Sequence, residues 1–181
     1  MPLAYLITFR CYGTWLHGDK RGSADRLHNV YGSPFLPDDE KRKEEERRRL
    51  KQAPVRLDEA HRIAVDKAVR EVCGHRGWTL LAINVRTNHV HVVVSAGCES
   101  KKVLNDFKAY ATRRMREAGV WKSGVTPWAK MGSRRYLWTP QQVERACNYV
   151  INHQGDDLIP SFVHDDDPSV VFVADDHDDY D

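Results

Sequence analysis

The sequence predicts an α+β domain, in which helices cover one face of an antiparallel sheet. Segments rich in β-branched and aromatic residues alternate with segments whose apolar residues recur at helical spacing. Their order along the chain is strand, insertion, helix, strand, strand, helix, strand, helix. Without the insertion and the last helix, this order is βαββαβ, which is the ferredoxin-like plan.

Length and composition indicate one globular domain with polar extensions. The chain has 181 residues, of which 41% are hydrophobic and 30% are charged. No apolar run approaches the roughly 20 residues that a membrane span needs, and the first residues lack the pattern of a signal peptide. We therefore expect a cytoplasmic protein without a membrane partner. The four cysteines are widely spaced without a C-x-x-C pair, which argues against a zinc knuckle or a disulfide framework.

The net charge of +2 conceals two segments of opposite sign. Residues 156–181 contain ten aspartates and no lysine or arginine, and they are predicted to form a loosely ordered acidic tail. The remaining 28 basic and 16 acidic residues leave about +12 on residues 1–155, the predicted main domain. A basic body is typical of proteins whose partner is a polyanion, most simply nucleic acid.

The N-terminal part begins with a predicted strand and a long insertion. Residues 3–15 are rich in aromatic and β-branched types and form the first strand. Residues 17–58 have no clear period and are interpreted as a polar insertion, within which the mixed-charge run Glu40–Lys51 is compatible with a solvated helix. Leu57–Arg76 has apolar residues at helical spacing, Asp58 as its N-cap and glycines where a C-cap is expected.

A predicted hairpin occupies the middle of the chain. Residues 78–85 form its first strand, and the short connection 86–88 leads to a second strand, which Gly97 ends. Ser100–Ala118 follows as a helix, which Gly119 ends.

The last helix has an unusually clear start. It follows a short strand predicted at residues 133–138. Thr139 is the N-cap, Pro140 occupies the first helical position and Gln142 completes a capping box. The apolar stripe that this helix is expected to bury comprises Val143, Ala146, Cys147, Val150 and Ile151.

The second strand of the hairpin carries two histidines that face the same way. Side chains alternate along a strand, so His89 and His91 share one face, while Val90, Val92 and Val94 point into a core on the other face. Two imidazoles side by side on a rigid strand can chelate one divalent cation. The strand is therefore predicted to supply metal ligands.

The last helix offers a third ligand and a nucleophile. Helical geometry places Tyr149 roughly 130° and His153 roughly 90° from the centre of the apolar stripe, so both are expected off the core. They stack on one flank because they are four residues apart, whereas Gln154 points into the stripe. If this helix lies across the sheet, His153 can join the histidine pair. The Tyr149 oxygen can then attack a phosphorus atom that the metal polarises.

Four segments resemble those of a known family. His89-Val90-His91, preceded by Asn88 and followed by valines, resembles the histidine–hydrophobe–histidine motif of the HUH endonucleases. Residues 146–154 look like the nucleophile helix of the single-tyrosine transposases, and residues 107–115 and 137–138 resemble the segments between. The resemblance covers the order of elements from residue 3 to about residue 155. The opening and the insertion look closest to the REP-associated tyrosine transposase branch.

The resemblance implies a single-stranded DNA transposase. Such a protein would recognise DNA hairpins, cut one strand and remain joined to the 5′ phosphate through Tyr149. It would use Mg²⁺ or Mn²⁺ held by His89, His91 and a third ligand. In the family that ligand is often a glutamine four residues after the tyrosine, so His153 and Gln154 both remain candidates. Family members are typically homodimers, in which the tyrosine helix can act in trans on the histidine pair of the partner.

Other readings remain open. Tyr110 is a rival nucleophile, although it shares the apolar face of its helix. A domesticated module that grips hairpins without cleaving them is the alternative function. A histidine-triad-like nucleotide hydrolase is disfavoured, because its motif requires another histidine at position 93, which is occupied by Val93.

Contacts with DNA are expected from two sets of residues. Aromatic side chains can stack unpaired bases, and basic side chains can hold the phosphate backbone. The aromatic candidates are Trp121, Trp128, Tyr136 and Trp138, and the basic candidates are Lys101, Lys102, Lys108, Arg113, Arg114, Arg134 and Arg135.

Overall fold

Four antiparallel strands form one sheet in the computed structural model, in the order β2-β3-β1-β4. The structure describes residues 1–14, 16, 39–122 and 124–152. It confirms the predicted α+β class and the ferredoxin-like βαββαβ order with an added C-terminal helix. The elements are β1 (Ala4–Cys11), α1 (Glu40–Arg48), α2 (Glu59–Arg76), β2 (Thr79–Val85), β3 (His89–Ser95), α3 (Ser100–Glu117), β4 (Trp128–Leu137) and α4 (Pro140–Asn152).

The two faces of the sheet carry separate apolar clusters. On one face, α2 and α3 pack against the inward side chains of β1 and β3, which include Phe9 and Val92. On the other face, α4 lies over β2 and β3, and Val150 belongs to a smaller cluster with Leu6 and Val93. Since Val93 shares its face with the alternate positions 89 and 91, α4 lies on the face that carries the two histidines.

Local signals in the sequence fix the ends of the helices. The Asp58 carboxylate accepts a hydrogen bond from the backbone N–H of His61, and Gly77 ends α2 in the left-handed conformation at φ 67°. The capping box of α4 is also present. The Gln142 N–H donates to the Thr139 hydroxyl at 3.3 Å, and the Thr139 N–H donates to Gln142 Oε1 at 3.2 Å.

The fourth strand is longer than predicted, because β4 starts at Trp128 rather than at Ser133. Its extra part contains a bulge. Phe9 of β1 pairs with Gly132, but Cys11 pairs with Trp128, so β4 gains residues relative to β1 over this stretch. The bulge interrupts the alternation of inward and outward side chains, which is the pattern that predicts a strand from the sequence.

Lys108 of α3 holds this bulge in place. Its ammonium group donates to the carbonyls of Ala129, Lys130 and Met131, at 2.9, 2.9 and 3.2 Å. Burial, with Arg10 and Arg134 nearby, lowers the pKa of the Lys108 ammonium to about 8. At neutral pH the group is therefore still charged, and it satisfies three carbonyls that the bulge removes from the strand ladder.

The insertion predicted at residues 17–58 is only partly polar. None of the residues of α1 is buried, as expected for a solvated helix. By contrast, Val55 is 7% exposed and Leu57 is 1% exposed, and both belong to the main core. Their N–H groups donate to the carbonyls of Tyr12 and Thr87, so the chain rejoins the domain by Val55. Residues 17–38 and the predicted tail, 156–181, lie outside the described residues.

Candidate active site

His89 and His91 occupy adjacent outward positions of β3, a central strand. They pair in register with Arg10 and Thr8 of β1, and their ring centroids are 4.6 Å apart. A strand with neighbours on both sides is rigid, so the separation of the two imidazoles is fixed by the sheet.

The Nδ1 atom of each ring has a hydrogen-bond partner. His89 Nδ1 lies 2.6 Å from Asn88 Oδ1, and His91 Nδ1 lies 2.7 Å from the Thr8 hydroxyl. An amide oxygen only accepts, so His89 Nδ1 carries the proton. The Thr8 hydroxyl can accept from His91 Nδ1 in the same way. In these tautomers both Nε2 atoms have a lone pair instead of a proton. Metal-binding histidines are commonly arranged in this way, with one ring nitrogen on the metal and the other in a hydrogen bond to the protein.

His91 is neutral over the whole physiological range. It is 8% exposed, and burial, with His89 and Arg86 nearby, lowers the pKa of its imidazole to about 3. Because only the neutral ring has a lone pair to donate, this environment favours metal binding over protonation.

Tyr149 lies beside His91 in the same chain. Their ring centroids are 5.6 Å apart with 75° between the planes, and Asn84 of β2 anchors α4 locally by donating to the Val150 carbonyl at 2.9 Å. The sequence left open whether the tyrosine helix lies across the histidine face, and in the structure it does. The prediction that Tyr149 is off the core is wrong, since its side chain is 7% exposed.

The helix is rotated relative to the predicted stripe. Ala146, Tyr149 and Val150 are buried, whereas Ile151, predicted to be buried, is 61% exposed. By helical geometry the buried face has turned by roughly a quarter of a revolution. The reason is that β2 and β3 offer α4 a surface with the His91 ring beside small apolar side chains, and Tyr149 covers this surface by meeting the His91 ring edge-on.

The third metal ligand cannot be placed in the same way. His153 and Gln154 lie outside the described residues. Over the described ranges, no group of three or more His, Cys, Asp or Glu residues is arranged to hold a metal ion. The two imidazoles, each with its Nδ1 atom in a hydrogen bond and its Nε2 atom turned to other partners, nevertheless fit two positions of a divalent cation.

Four predicted DNA-binding residues make contacts on the side of the sheet away from the histidines. Lys102 pairs with an aspartate one turn further along α3 at 2.9 Å, and Lys108 holds the β4 bulge. Arg113 and Arg114 reach Glu71 of α2 at 3.1 and 3.7 Å. These contacts link elements of the fold, so a DNA contact by these residues stays a prediction.

The other three basic candidates lie at β4 or near it. Arg135 pairs in register with Leu6 and so shares the histidine side of the sheet, while Arg134 pairs with Ile7 on the opposite side. Lys101 is exposed in the first turn of α3.

Tyr110 is not brought to the histidine pair. It lies on α3, where the Arg113 guanidinium stacks over its ring at 4.3 Å and His75 lies 6.3 Å away. The structure therefore separates the rival nucleophile from His89 and His91 by the thickness of the sheet.

Sequence reasoning missed several residues around the site. Thr8 and Arg10 come from β1, and Arg86 from the turn before β3 is close enough to lower the pKa of His91. Thr8 and Arg10 have the alternate spacing of one strand face, which was a usable signal. The pairing of β1 with β3, which brings them to the histidines, is not visible in either strand alone.

No helix in the described part of the chain has the length and apolar character to cross a membrane. The fold and these residues define a ferredoxin-like domain that presents a histidine pair beside a helix-borne tyrosine. A family model described as "Transposase IS200 like" matches residues 49–150, more than half of the chain and a range that includes His89, His91 and Tyr149. The chain belongs to this transposase family, whose chemistry is DNA cleavage by phosphoryl transfer.

Two solved structures are similar at low identity. One is a transposase candidate from Deinococcus radiodurans R1, with 15% identity and a TM-score of 0.45, covering 83% of this chain and 89% of that one. The other is described as a REP-associated tyrosine transposase bound to a REP hairpin, with 10% identity and a TM-score of 0.44, covering 83% of this chain and 66% of that one. No curated protein sequence matches the chain. Family membership therefore rests on the family model.

Proposed function

We propose that this protein is a metal-dependent endonuclease and transposase, which cuts and rejoins one strand of DNA through a covalent 5′-phosphotyrosine on Tyr149. The observation that carries the proposal is the contact between the rings of Tyr149 and His91. A candidate nucleophile and a candidate metal site then lie side by side, within a chain of the transposase family.

The histidine pair is the proposed electrophilic half of the site. His89 and His91 would hold Mg²⁺ or Mn²⁺ through Nε2, and the bound ion would supply Lewis-acid polarisation of a phosphate oxygen. Imidazole nitrogen suits transition metals better than Mg²⁺, which prefers oxygen, so Mn²⁺ should support activity better. His153 is proposed as the third ligand, with Gln154 as its rival.

Tyr149 is the proposed nucleophile. Its phenol gives up a proton to solvent, and the oxygen forms a bond to phosphorus while the bond to the 3′ oxygen breaks. The leaving 3′ oxygen takes up a proton, which balances the step. A free phenol has a pKa near 10, so local stabilisation of the phenolate is needed. Arg86, whose charge lowers the pKa of the neighbouring His91, adds positive charge beside the histidine pair.

The proposed substrate is single-stranded DNA that carries a hairpin. The excess of basic residues in residues 1–155 favours a polyanion, and Arg135 on the histidine side is proposed to hold the phosphates next to the site. Such an enzyme would act as a homodimer in the cytoplasm. The position of Tyr149 beside its own histidines favours action in cis in this conformation.

Covalent capture tests the proposal. Labelled single strands flanked by hairpins are incubated with the protein and with Mn²⁺, Mg²⁺ or EDTA, then separated under denaturing conditions. A protein–DNA adduct is expected with metal, and it should be lost in Tyr149→Phe, His89→Ala and His91→Ala but retained in the matched control Tyr110→Phe. An adduct that survives Tyr149→Phe would exclude this nucleophile, and tight hairpin binding without any adduct would favour the non-cleaving module.

Mixing variants separates cis from trans action. Tyr149→Phe retains the histidines and a His89→Ala, His91→Ala double variant retains the tyrosine. If the tyrosine acts within its own chain, a mixture of the two forms no adduct. Recovery of the adduct in the mixture would show that the tyrosine helix serves the partner subunit.

A further inference from the structure

Trp138 lies directly after β4 and presents an exposed aromatic face. It is 49% exposed and is the only tryptophan among the described residues with more than a third of its surface in solvent. Trp128, which the sequence also suggested for base stacking, is 1% exposed, and its indole N–H donates to the Lys108 carbonyl and the Thr112 hydroxyl. Trp128 is a core residue, so that expectation is wrong.

The exposed indole packs against a ring ladder, which consists of Tyr136 and Tyr5. It stacks on Tyr136, with 6.1 Å between centroids and 14° between planes. Tyr136 in turn meets Tyr5 edge-on at 5.2 Å, and its hydroxyl lies 3.0 Å from the Ser100 hydroxyl. One face of the Trp138 indole is thus engaged by the protein, and its ring is held by a rigid part of the sheet.

The backbone of Trp138 is fixed as well. Its N–H donates to Gln142 Oε1 at 2.7 Å, which ties the residue to the first turn of α4. A side chain that is already ordered loses little conformational entropy when a ligand stacks on it. An exposed tryptophan that is held in this way is therefore suited to binding a flat partner.

The charge around Trp138 favours a polyanion. Arg134 and Arg135 precede the ring ladder on β4, and Lys101 follows Ser100 on α3, whereas Glu99 is the acidic residue next to them. Over residues 101–135 there are ten basic residues and two acidic ones. A partner with a flat apolar face and a negative backbone matches both properties, and single-stranded DNA has both.

We propose that Trp138 is the platform on which an unpaired base of the bound DNA strand stacks. This deepens the proposed function and rests on it. Tyr136 pairs with Tyr5, which belongs to the core cluster under α2 and α3, whereas His91 pairs with Thr8 on the other face. The platform therefore lies on the face of the sheet opposite to the histidine pair and is displaced from it by three residues, about 10 Å, along β1. Because β4 is an edge strand, a DNA strand that stacks one base on the indole can continue around this edge towards the histidine face.

Binding measured without metal tests the platform apart from cleavage. The probe is a hairpin with a single-stranded extension, in which successive bases are replaced by fluorescent 2-aminopurine or by an abasic site, and affinity is measured by anisotropy. Trp138→Ala should weaken binding roughly 5- to 150-fold, and Trp138→Phe should restore most of it, because stacking on one base is worth about 1–3 kcal/mol. Leu81→Ala is the matched control, since Leu81 is an exposed apolar residue on the opposite edge strand.

The abasic scan identifies the stacked base. One abasic position should weaken binding to the wild-type protein and have no effect on Trp138→Ala, and the slope of affinity against salt should stay unchanged in that variant. Equal affinities of Trp138→Ala and the wild type would overturn the platform while leaving the proposed function intact. A wild-type protein that binds no single-stranded or hairpin DNA would overturn both.

Discussion

The ring of Tyr149 meets the ring of His91 nearly edge-on, with 5.6 Å between the two centroids. This contact joins α4 to β3, two elements whose proximity the sequence leaves undetermined. It arises because α4 packs on the face of the sheet opposite to α2 and α3. A single chain therefore holds the candidate nucleophile against one of the candidate metal ligands.

The Thr8 hydroxyl should control metal affinity through His91. Thr8→Val keeps the shape of the side chain but removes the group that lies 2.7 Å from His91 Nδ1. We expect the affinity for Mn²⁺ to fall about 10- to 100-fold, as for other residues that orient a ligating histidine. Titration calorimetry of the purified protein measures this directly. Thr8→Ser retains the hydroxyl and should bind nearly as well as the wild type, and equal affinities of all three proteins would contradict the role of Thr8.

The metal-free protein should lose stability in acid because of His91. The folded pKa of about 3 lies below the ordinary value of 6.5. At pH values between about 3 and 6.5, the His91 imidazole is protonated in the unfolded chain but neutral in the folded chain. The free energy of unfolding should therefore fall as pH falls from 6.5 towards 3, by at most about 1.4 kcal/mol per pH unit from this residue.

Urea denaturation over this pH range measures the effect. His91→Gln should flatten the dependence of stability on pH, and His75→Gln, at the exposed end of α2, controls for the loss of a histidine. An unchanged slope in His91→Gln would show that the buried imidazole is not the group responsible.

Removing the ammonium group of Lys108 should destabilise the start of β4. Lys108→Met keeps most of the apolar stem but leaves the carbonyls of residues 129–131 without their shared donor. The expected loss is about 1–3 kcal/mol in the free energy of unfolding. Lys101→Met, an exposed position on the same helix, should change stability by less than about 0.5 kcal/mol. Similar effects of both substitutions would contradict the anchoring of the bulge by Lys108.

Gly132 is required where β4 approaches both β1 and α3. A Cβ at this position would lie 2.8 Å from the Thr8 carbonyl oxygen and 3.0 Å from the methyl groups of Leu104. Gly132→Ala should therefore lower the melting temperature, with a cost of about 1–3 kcal/mol from overpacking. Gly97→Ala is the control, because a Cβ there meets no atom within 4 Å. A Gly132→Ala protein as stable as the wild type would mean that the strand can shift to make room.

The sequence was most informative where signals are local. The alternation around His89 and His91 predicted a shared face, and the pattern from Thr139 to Gln142 predicted the start of α4. Both depend on residues a few positions apart, whose geometry one element determines by itself.

Features that depend on contacts between distant elements were missed or wrong. The start of β4 was missed because Lys108, far away in the sequence, stabilises a bulge without strand alternation. The prediction of the buried face of α4 was wrong, because the spacing of apolar residues along a helix does not show what the helix packs against. The surface under α4 covers Tyr149 rather than Ile151. Thr8 was missed because strand register fixes its contact with His91.

The residue that becomes linked to DNA is the most direct test of the proposed function. Adduct formed with Mn²⁺ is digested with trypsin and nuclease, and the modified peptide is identified by mass spectrometry. Cleavage after lysine and arginine places Tyr110 in peptide 109–113 and Tyr149 in peptide 146–181, so the two candidates separate. Fragmentation then distinguishes Tyr149 from Tyr180. The account predicts a nucleotide phosphate on Tyr149, and a nucleotide on Tyr110 or Tyr180 would contradict it.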